Sequence, residues 1–297
     1  MGYRARTIFW CLTLLAAISL FATASAQTNP FSKAQVSDRI RKVGQLRQGV
    51  AKVVEDPRYT PAYTARYLVA DLITGWGVAE SVLHYYRLYG GDVVGKRVVV
   101  QGWGNVGSTA AYYLSQAGAR VVGIIDREGG LLNSEGFGAQ QIRGLFLNKK
   151  GNQLAASNLL PFDEINRRVW SAGAEIFLPC AGSRLVTREQ VQELIKAGLE
   201  VVASGANVPF ADRETFYGPI YELADSHVAV IPDFIANCGM ARAFAYLMRG
   251  DVEVSDEAIF SDVSLTVAAA LQCCHARSSA RTGIARTAFE NALVQLV

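Results

Sequence analysis

No two cysteines of this 297-residue chain are spaced as C-x-x-C, and none of the five (Cys11, Cys180, Cys238, Cys273 and Cys274) shares a zinc-ligand spacing with a histidine. That excludes a zinc ribbon and a thioredoxin-type redox motif. The thiols are expected to be reduced and mostly buried. His84, His227 and His275 show no ligand spacing either, so no metal is expected. Charge is scarce as well, at 19% of residues with both signs mixed and a formal net charge of +3. No run of Lys and Arg is long enough to track a phosphate backbone, which argues against a nucleic-acid partner. Internal repeats and low-complexity tracts are also missing. What the chain has is apolar residues, 51% of the total, enough for one large domain or two modest ones with a proper core.

The N-terminal stretch stands apart. Arg4 and Arg6 precede an uncharged run from Thr7 to Ser32 whose centre, Ile8 to Phe21, is rich in Leu, Ile, Phe and Ala. Ala24-Ser25-Ala26 then forms a small-x-small cleavage pattern. This is the three-part layout of a secretory signal peptide, with an uncleaved membrane anchor as the second choice because the apolar centre is short for a span. Residues 27–62 read as a helical remnant or linker, with Val36, Ile40, Val43, Leu46 and Val50 at three- and four-residue steps.

From Tyr63 the pattern alternates between helices and short apolar runs. A helix is expected after Thr74-Gly75, with Val78, Val82, Tyr86 and Tyr89 on one face and Gly90-Gly91 as its stop. Arg97–Gln101 is a β-branched run that predicts a buried strand. A helix follows from Asn105 to Ala117, ended by Gly118, and then a second buried strand, Val121–Ile125, closing on Asp126. Three more buried strands are expected at Glu175–Leu178, Leu199–Ala203 and Val228–Ile231, with a capping box, Thr187-x-x-Gln190, on an intervening helix. Two C-terminal helices are predicted, capped by Ser255 and Thr282. The order predicts an α/β fold, a Rossmann-type doubly wound parallel sheet over residues 63–250 with C-terminal helices over 251–297.

The residues with chemistry lie where the strands end, because an open parallel sheet binds ligands beyond its carboxyl edge. Gly102-Trp103-Gly104-Asn105-Val106-Gly107 follows a strand and opens a helix, and Asp126 ends the next strand nineteen residues after Gly107. In that context the glycines have separate tasks: Gly102 the tight turn, Gly104 close approach to a diphosphate, Gly107 packing of helix on strand. The free N–H groups of the helix end, with Asn105 and Val106 in its first turn, suit an anion. Asp126 is placed to accept from an adenosine ribose and favours NAD, while Arg127 beside it offers a guanidinium to the extra phosphate of NADP.

Four further segments carry a family resemblance: Thr74-Gly75-Trp76-Gly77-Val78, Gly129-Gly130-Leu131-Leu132-Asn133 with Glu135-Gly136, Gly205-Ala206-Asn207-Val208-Pro209, and Pro232-Asp233-Phe234-Ile235-Ala236-Asn237. With the glycine-rich turn, this set resembles the cofactor domain of the glutamate/leucine/phenylalanine/valine dehydrogenases. The resemblance runs from about Tyr63 to Gly250. It implies an NAD(P)-dependent oxidative deamination of an L-amino acid to a 2-oxo acid. It also implies that Thr74 meets the nicotinamide end, that Cys180 and Ala181 wall the adenosine, that Asn207 lies near the nicotinamide ribose, and that Asn237 binds the carboxamide. Asp233 is implied to be structural or cofactor-proximal.

The resemblance stops at the reacting groups. The family's catalytic lysine sits between glycine pairs in a preceding domain, together with a proton-shuttling aspartate. No lysine of this chain is so placed, and no catalytic residue is assigned. Ala243 and Phe244 stand where the family has a small hydroxyl residue near the substrate. Two alternatives follow, a non-catalytic dinucleotide-binding module and an exported relative that keeps only the architecture. In the family the C-terminal helices pack toward the substrate domain, so a homo-oligomer or a partner supplying that domain is expected. The chemistry implies the cytoplasm, whereas residues 1–26 imply export or anchoring.

Overall fold

The computed structural model describes residues 33–62 and 65–294. The leader-like segment lies outside them. Eleven α-helices and six strands follow in chain order among the described residues. They are α1 (Lys33–Val50), α2 (Val69–Tyr89), β1 (Arg97–Gln101), α3 (Asn105–Gln116), β2 (Arg120–Asp126), β3 (Gly129–Phe137), α4 (Ala139–Leu147) and α5 (Phe162–Arg168). Then come β4 (Ile176–Pro179), α6 (Arg188–Lys196), β5 (Val201–Ala203), α7 (Pro219–His227), β6 (Ala229–Ile231), α8 (Asp233–Ala236), α9 (Gly239–Leu247), α10 (Asp256–Arg277) and α11 (Ile284–Val294).

The sheet has the order β3-β2-β1-β4-β5-β6. Strand direction alternates side chains between faces, and both faces are covered. Val98, Val100, Val121, Ile124, Ile176, Leu178, Val201 and Ile231 enter one core, whereas Val99, Val122, Ile125, Phe177, Val202 and Val230 enter the other. That explains the unbroken β-branched runs. Each fully buried Val or Ile contributes roughly 1.5–3 kcal/mol of transfer free energy. Helix α10 is long and apolar enough to cross a bilayer, yet Ile259, Phe260, Val263, Val267 and Leu271 bury one face of it in the core.

The doubly wound sheet is parallel except at one edge, where a strand not expected from the sequence is added. β2 pairs with β1 in parallel, but β3 returns antiparallel to β2, with Asp126 opposite Gly129 across the two-residue turn Arg127-Glu128. The Gly- and Asn-rich composition of β3 hides it from β propensity. Helix α2 begins at Val69, five residues before Thr74, which is therefore interior and not a cap. The capping box at Thr187 and the Ser255 cap are present. Thr282 is not the cap of α11. That helix begins at Ile284, and the carboxylate of Asp225, on α7, accepts from Ala285 and Arg286 N–H at 3.0 Å each. A carboxylate from elsewhere in the fold thus satisfies the orphan donors. Along α1, Ile40 and Val43 are 68% and 63% exposed, so the apolar spacing marks a helix but not a buried face.

Candidate functional site

The chain passes from β1 outward to β2 and β3, then crosses back to place β4 on the other side of β1. The crevice at this reversal lies beyond the carboxyl ends of β1 and β4, where a doubly wound sheet receives a ligand. Gly102 leaves β1 with φ +91°, and its N–H donates to Ile125 O at 2.7 Å, tying the turn to β2. A side chain there would sit 2.6 Å from the Ala181 Cα, since the turn runs against the loop after β4. At Gly107 an added Cβ would overlap the Gly102 carbonyl oxygen and lie 3.1 Å from the Cys180 Cβ. Gly104 differs, because a Cβ there would meet only the Asn152 side chain, at 3.7 Å. Gly102 and Gly107 are required by the fold. Gly104 is free of the fold and opens on the crevice, which fits a group needing close backbone approach, such as a diphosphate at the first turn of α3.

Asp126 closes β2, and its Oδ2 accepts the Leu154 N–H at 2.7 Å. Asn105 Nδ2 donates to Asp71 Oδ1 at 3.2 Å, and Asn105 Oδ1 accepts from Lys149 Nζ at 2.7 Å. Burial pushes the Lys149 ammonium toward the neutral form, with Asp71 acting in the opposite sense. Lys149, Asn152 and Leu154 thus form a loop across the glycine turn. No sequence signal marks this loop, whose residues lie more than forty positions from Asn105 and carry no motif.

On the other flank, Asn237 Nδ2 donates to Asn207 Oδ1 at 2.9 Å, joining the ends of β5 and β6. Asp233 is nearly buried and accepts from Val208 and Phe234 N–H, each at 2.9 Å. Desolvation raises its pKa, and these backbone donors oppose that rise. Its position fixes Val208, whose φ of +47° is unfavourable for a β-branched residue. Asp233 therefore shapes the turn that presents Asn207.

Thr74 reaches the same flank through helix packing. A Cβ on Gly239 would lie 2.8 Å from the Thr74 Cα, and one on Gly77 would lie 3.1 Å from Ala236 O. The glycines of the Thr74–Val78 segment let α2 approach both α3 and the start of α9, at about 1 kcal/mol each in helix propensity. Cys180 is buried beneath Gly205, and its thiol pKa is pushed up to about 12 by burial, so Ala181 is the exposed member of that pair. Ala243 is buried, and Phe244 is 40% exposed on α9. Cys180, Cys238, Cys273 and Cys274 are free thiols, and no metal-binding group of His, Cys, Asp or Glu occurs among the described residues.

A doubly wound α/β domain with a glycine turn at its switch point and two asparagines on the opposite flank defines the class. The sequence model of the Glutamate/Leucine/Phenylalanine/Valine dehydrogenase family matches residues 68–282. The chain belongs to that family. It is 34% identical over 175 residues to an NADP(+)-dependent glutamate dehydrogenase of Pyrobaculum calidifontis, covering 58% of this chain and 39% of that one. It is 31% identical over 166 residues to a cryptic catabolic NAD-specific glutamate dehydrogenase of Bacillus subtilis, covering 56% and 36%. The chain thus spans about two-fifths of the length of these curated relatives. The fold matches Plasmodium falciparum glutamate dehydrogenase with a TM-score of 0.61 at 18% identity, over 77% of this chain and 51% of that one. A hetero-hexameric glutamate dehydrogenase from Thermus thermophilus matches with a TM-score of 0.59 at 18% identity, over 96% and 76%.

Proposed function

We propose that this chain is the dinucleotide-binding part of an NAD(P)-dependent amino-acid dehydrogenase, one that oxidatively deaminates an L-amino acid to a 2-oxo acid. The observation that carries the reading is Gly104, a glycine that the fold does not need, where an added Cβ would make only ordinary contact with the Asn152 side chain, at the positive end of α3. In this reading the α3 N-terminus and Gly104 hold the diphosphate, and Asp126 holds the adenosine ribose. Asn207, Asn237 and Thr74 orient the nicotinamide end, and Ala181 borders the adenosine. The cofactor, when bound, accepts the hydride from the amino-acid α-carbon. Water then hydrolyses the resulting imine, releasing ammonia.

Asp126 favours NAD and Arg127 leaves NADP open, in keeping with relatives of both kinds. The lysine and aspartate needed to activate water come from a substrate domain in a longer polypeptide, or from a partner subunit of different sequence. Phe244 on α9, Met248 just after it and Leu265 on α10, all exposed, are the apolar surface offered to it. Export rests on the sequence of residues 1–26 alone.

Calorimetric titration of the chain with NAD and NADP, with Gly104→Val as control, tests the reading. Binding abolished in the folded control supports it; no binding by the folded parent overturns it. The missing lysine favours a second reading, a module that binds dinucleotide without turnover. Amino-acid-dependent NADH formation by the chain alone would exclude that one.

A further inference from the structure

Lys149 is a half-buried cation whose hydrogen bonds in the structure are to neutral groups. Its ammonium donates to Asn105 Oδ1 at 2.7 Å and to Ser108 Oγ at 3.3 Å, and lies 4.9 Å from the centre of the Phe146 ring. The carboxylate that acts on it, Asp71, stands on the far side of the Asn105 amide. Both Asn105 and Ser108 belong to the first turns of α3, whose free N–H groups already make that end positive. A cation there is opposed twice, by desolvation and by the helix dipole. An anion at the same end would reverse both effects.

The surrounding loop shows where such an anion would lie. Asn152 borders the open face of Gly104. Leu154 N–H is bonded to Asp126 Oδ2. In the amide orientation that satisfies both groups, Gln153 Oε1 accepts from Arg127 Nε and Nη2 at 2.6 Å. The loop therefore meets the ribose end of the crevice through Gln153 and Leu154, and the glycine-turn end through Lys149 and Asn152. The cation beside Asp126 is Arg127. Lys149 is displaced from it toward the helix end.

Resting on the dinucleotide reading above, we propose that Lys149 is a ligand of the cofactor's diphosphate, its ammonium leaving Asn105 to donate to a phosphate oxygen opposite the α3 N–H groups. The bond is charge-assisted and forms in a partly desolvated crevice. Asn105 keeps its Nδ2 donation to Asp71 Oδ1, which holds the first turn in place after Lys149 leaves Oδ1.

The test is titration of the full chain and its Lys149→Met variant with NAD, NADP, ADP and adenosine, the last by displacement. Loss of a charge-assisted contact weakens NAD and ADP binding on the order of 10- to 100-fold and leaves adenosine within about twofold. Lys149→Arg recovers part of the loss. Lys149→Gln, which can still bond Asn105, serves if the methionine variant does not fold, and is expected to show the same nucleotide pattern. Unchanged NAD and ADP affinity in a folded variant, with Gly104→Val still non-binding, overturns the assignment and leaves the dinucleotide reading standing. A loss confined to NADP also overturns it, moving Lys149 to the 2′-phosphate. A folded parent that binds none of the four ligands overturns both.

Discussion

On the β2 side of the switch point, Asp126 and Asn105 are engaged by one loop of the same chain, through Leu154 N–H and Lys149 Nζ. On the β5–β6 side, Asn207 and Asn237 are engaged by each other, and Asp233 supports them from below. The first flank is made from a contiguous motif laid against a distant loop. The second is made from two strand ends and two helices that no short stretch of sequence contains. A site can therefore be half local and half global, and its two halves should respond differently to substitution.

The largest contrast is expected between two glycines of one motif. Gly107→Val drives a branched side chain into the Gly102 carbonyl and the Cys180 side chain. It should cost about 3 kcal/mol or more, lowering Tm by roughly 8 °C in thermal melts. Gly104→Val has room and should melt like the parent while losing dinucleotide binding. Equal melting losses in the two variants would erase the distinction between a fold glycine and a ligand glycine.

Next is the support of the second flank. Asp233→Ala strands the Val208 N–H and should destabilise by about 2 kcal/mol in chemical denaturation. On the proposed placement of the nicotinamide end at the Asn207 turn, its loss should also weaken NAD binding while ADP binding is unchanged. Parallel weakening of ADP would show that the flanks are not independent. A smaller effect is expected for Asn237→Ala, about fivefold on NAD affinity with no effect on ADP, the scale of one neutral hydrogen bond.

The smallest effect lies outside the site and gauges how far the α2 packing matters to it. Glu80 on α2 is buried, which raises its pKa, but hydrogen bonds from His84 and Ser264, with the charge of Arg87, more than offset this and hold it below the usual carboxylate range. A depressed folded pKa contributes stability present above the unfolded value, lost as pH falls through the folded one. Glu80→Gln should therefore show a shallower loss of stability below about pH 4.5 than the parent, with NAD affinity at neutral pH unchanged.

The first flank was legible in the sequence because its determinants are local. Gly102 to Gly107 and Asp126 sit at fixed offsets on a strand, helix and strand, and β1 was read to the residue. The strands were readable because burial on both faces favours unbroken apolar runs, many of them β-branched. β3 was not, since a hairpin edge tolerates Gly, Asn and Ser. The Asn207–Asn237 pair came from family resemblance, since thirty residues separate the partners. Lys149 and Asp225 escaped altogether. Each acts on a helix end far along the chain, and an isolated lysine or aspartate in sequence looks like a solvated charge.

Asp225 has a bearing on how the molecule is made. Its carboxylate accepts from backbone donors of α11, which is synthesised after α7, β6 and α10, the elements it packs against. Until residues 284–286 emerge from the ribosome, that carboxylate has the Tyr217 hydroxyl, at 2.9 Å, but lacks its two backbone donors. The half with the glycine turn has its own donors earlier in translation. The nascent chain should thus acquire the glycine-turn flank first, and lock the β5–β6 flank only when α11 docks back on α7.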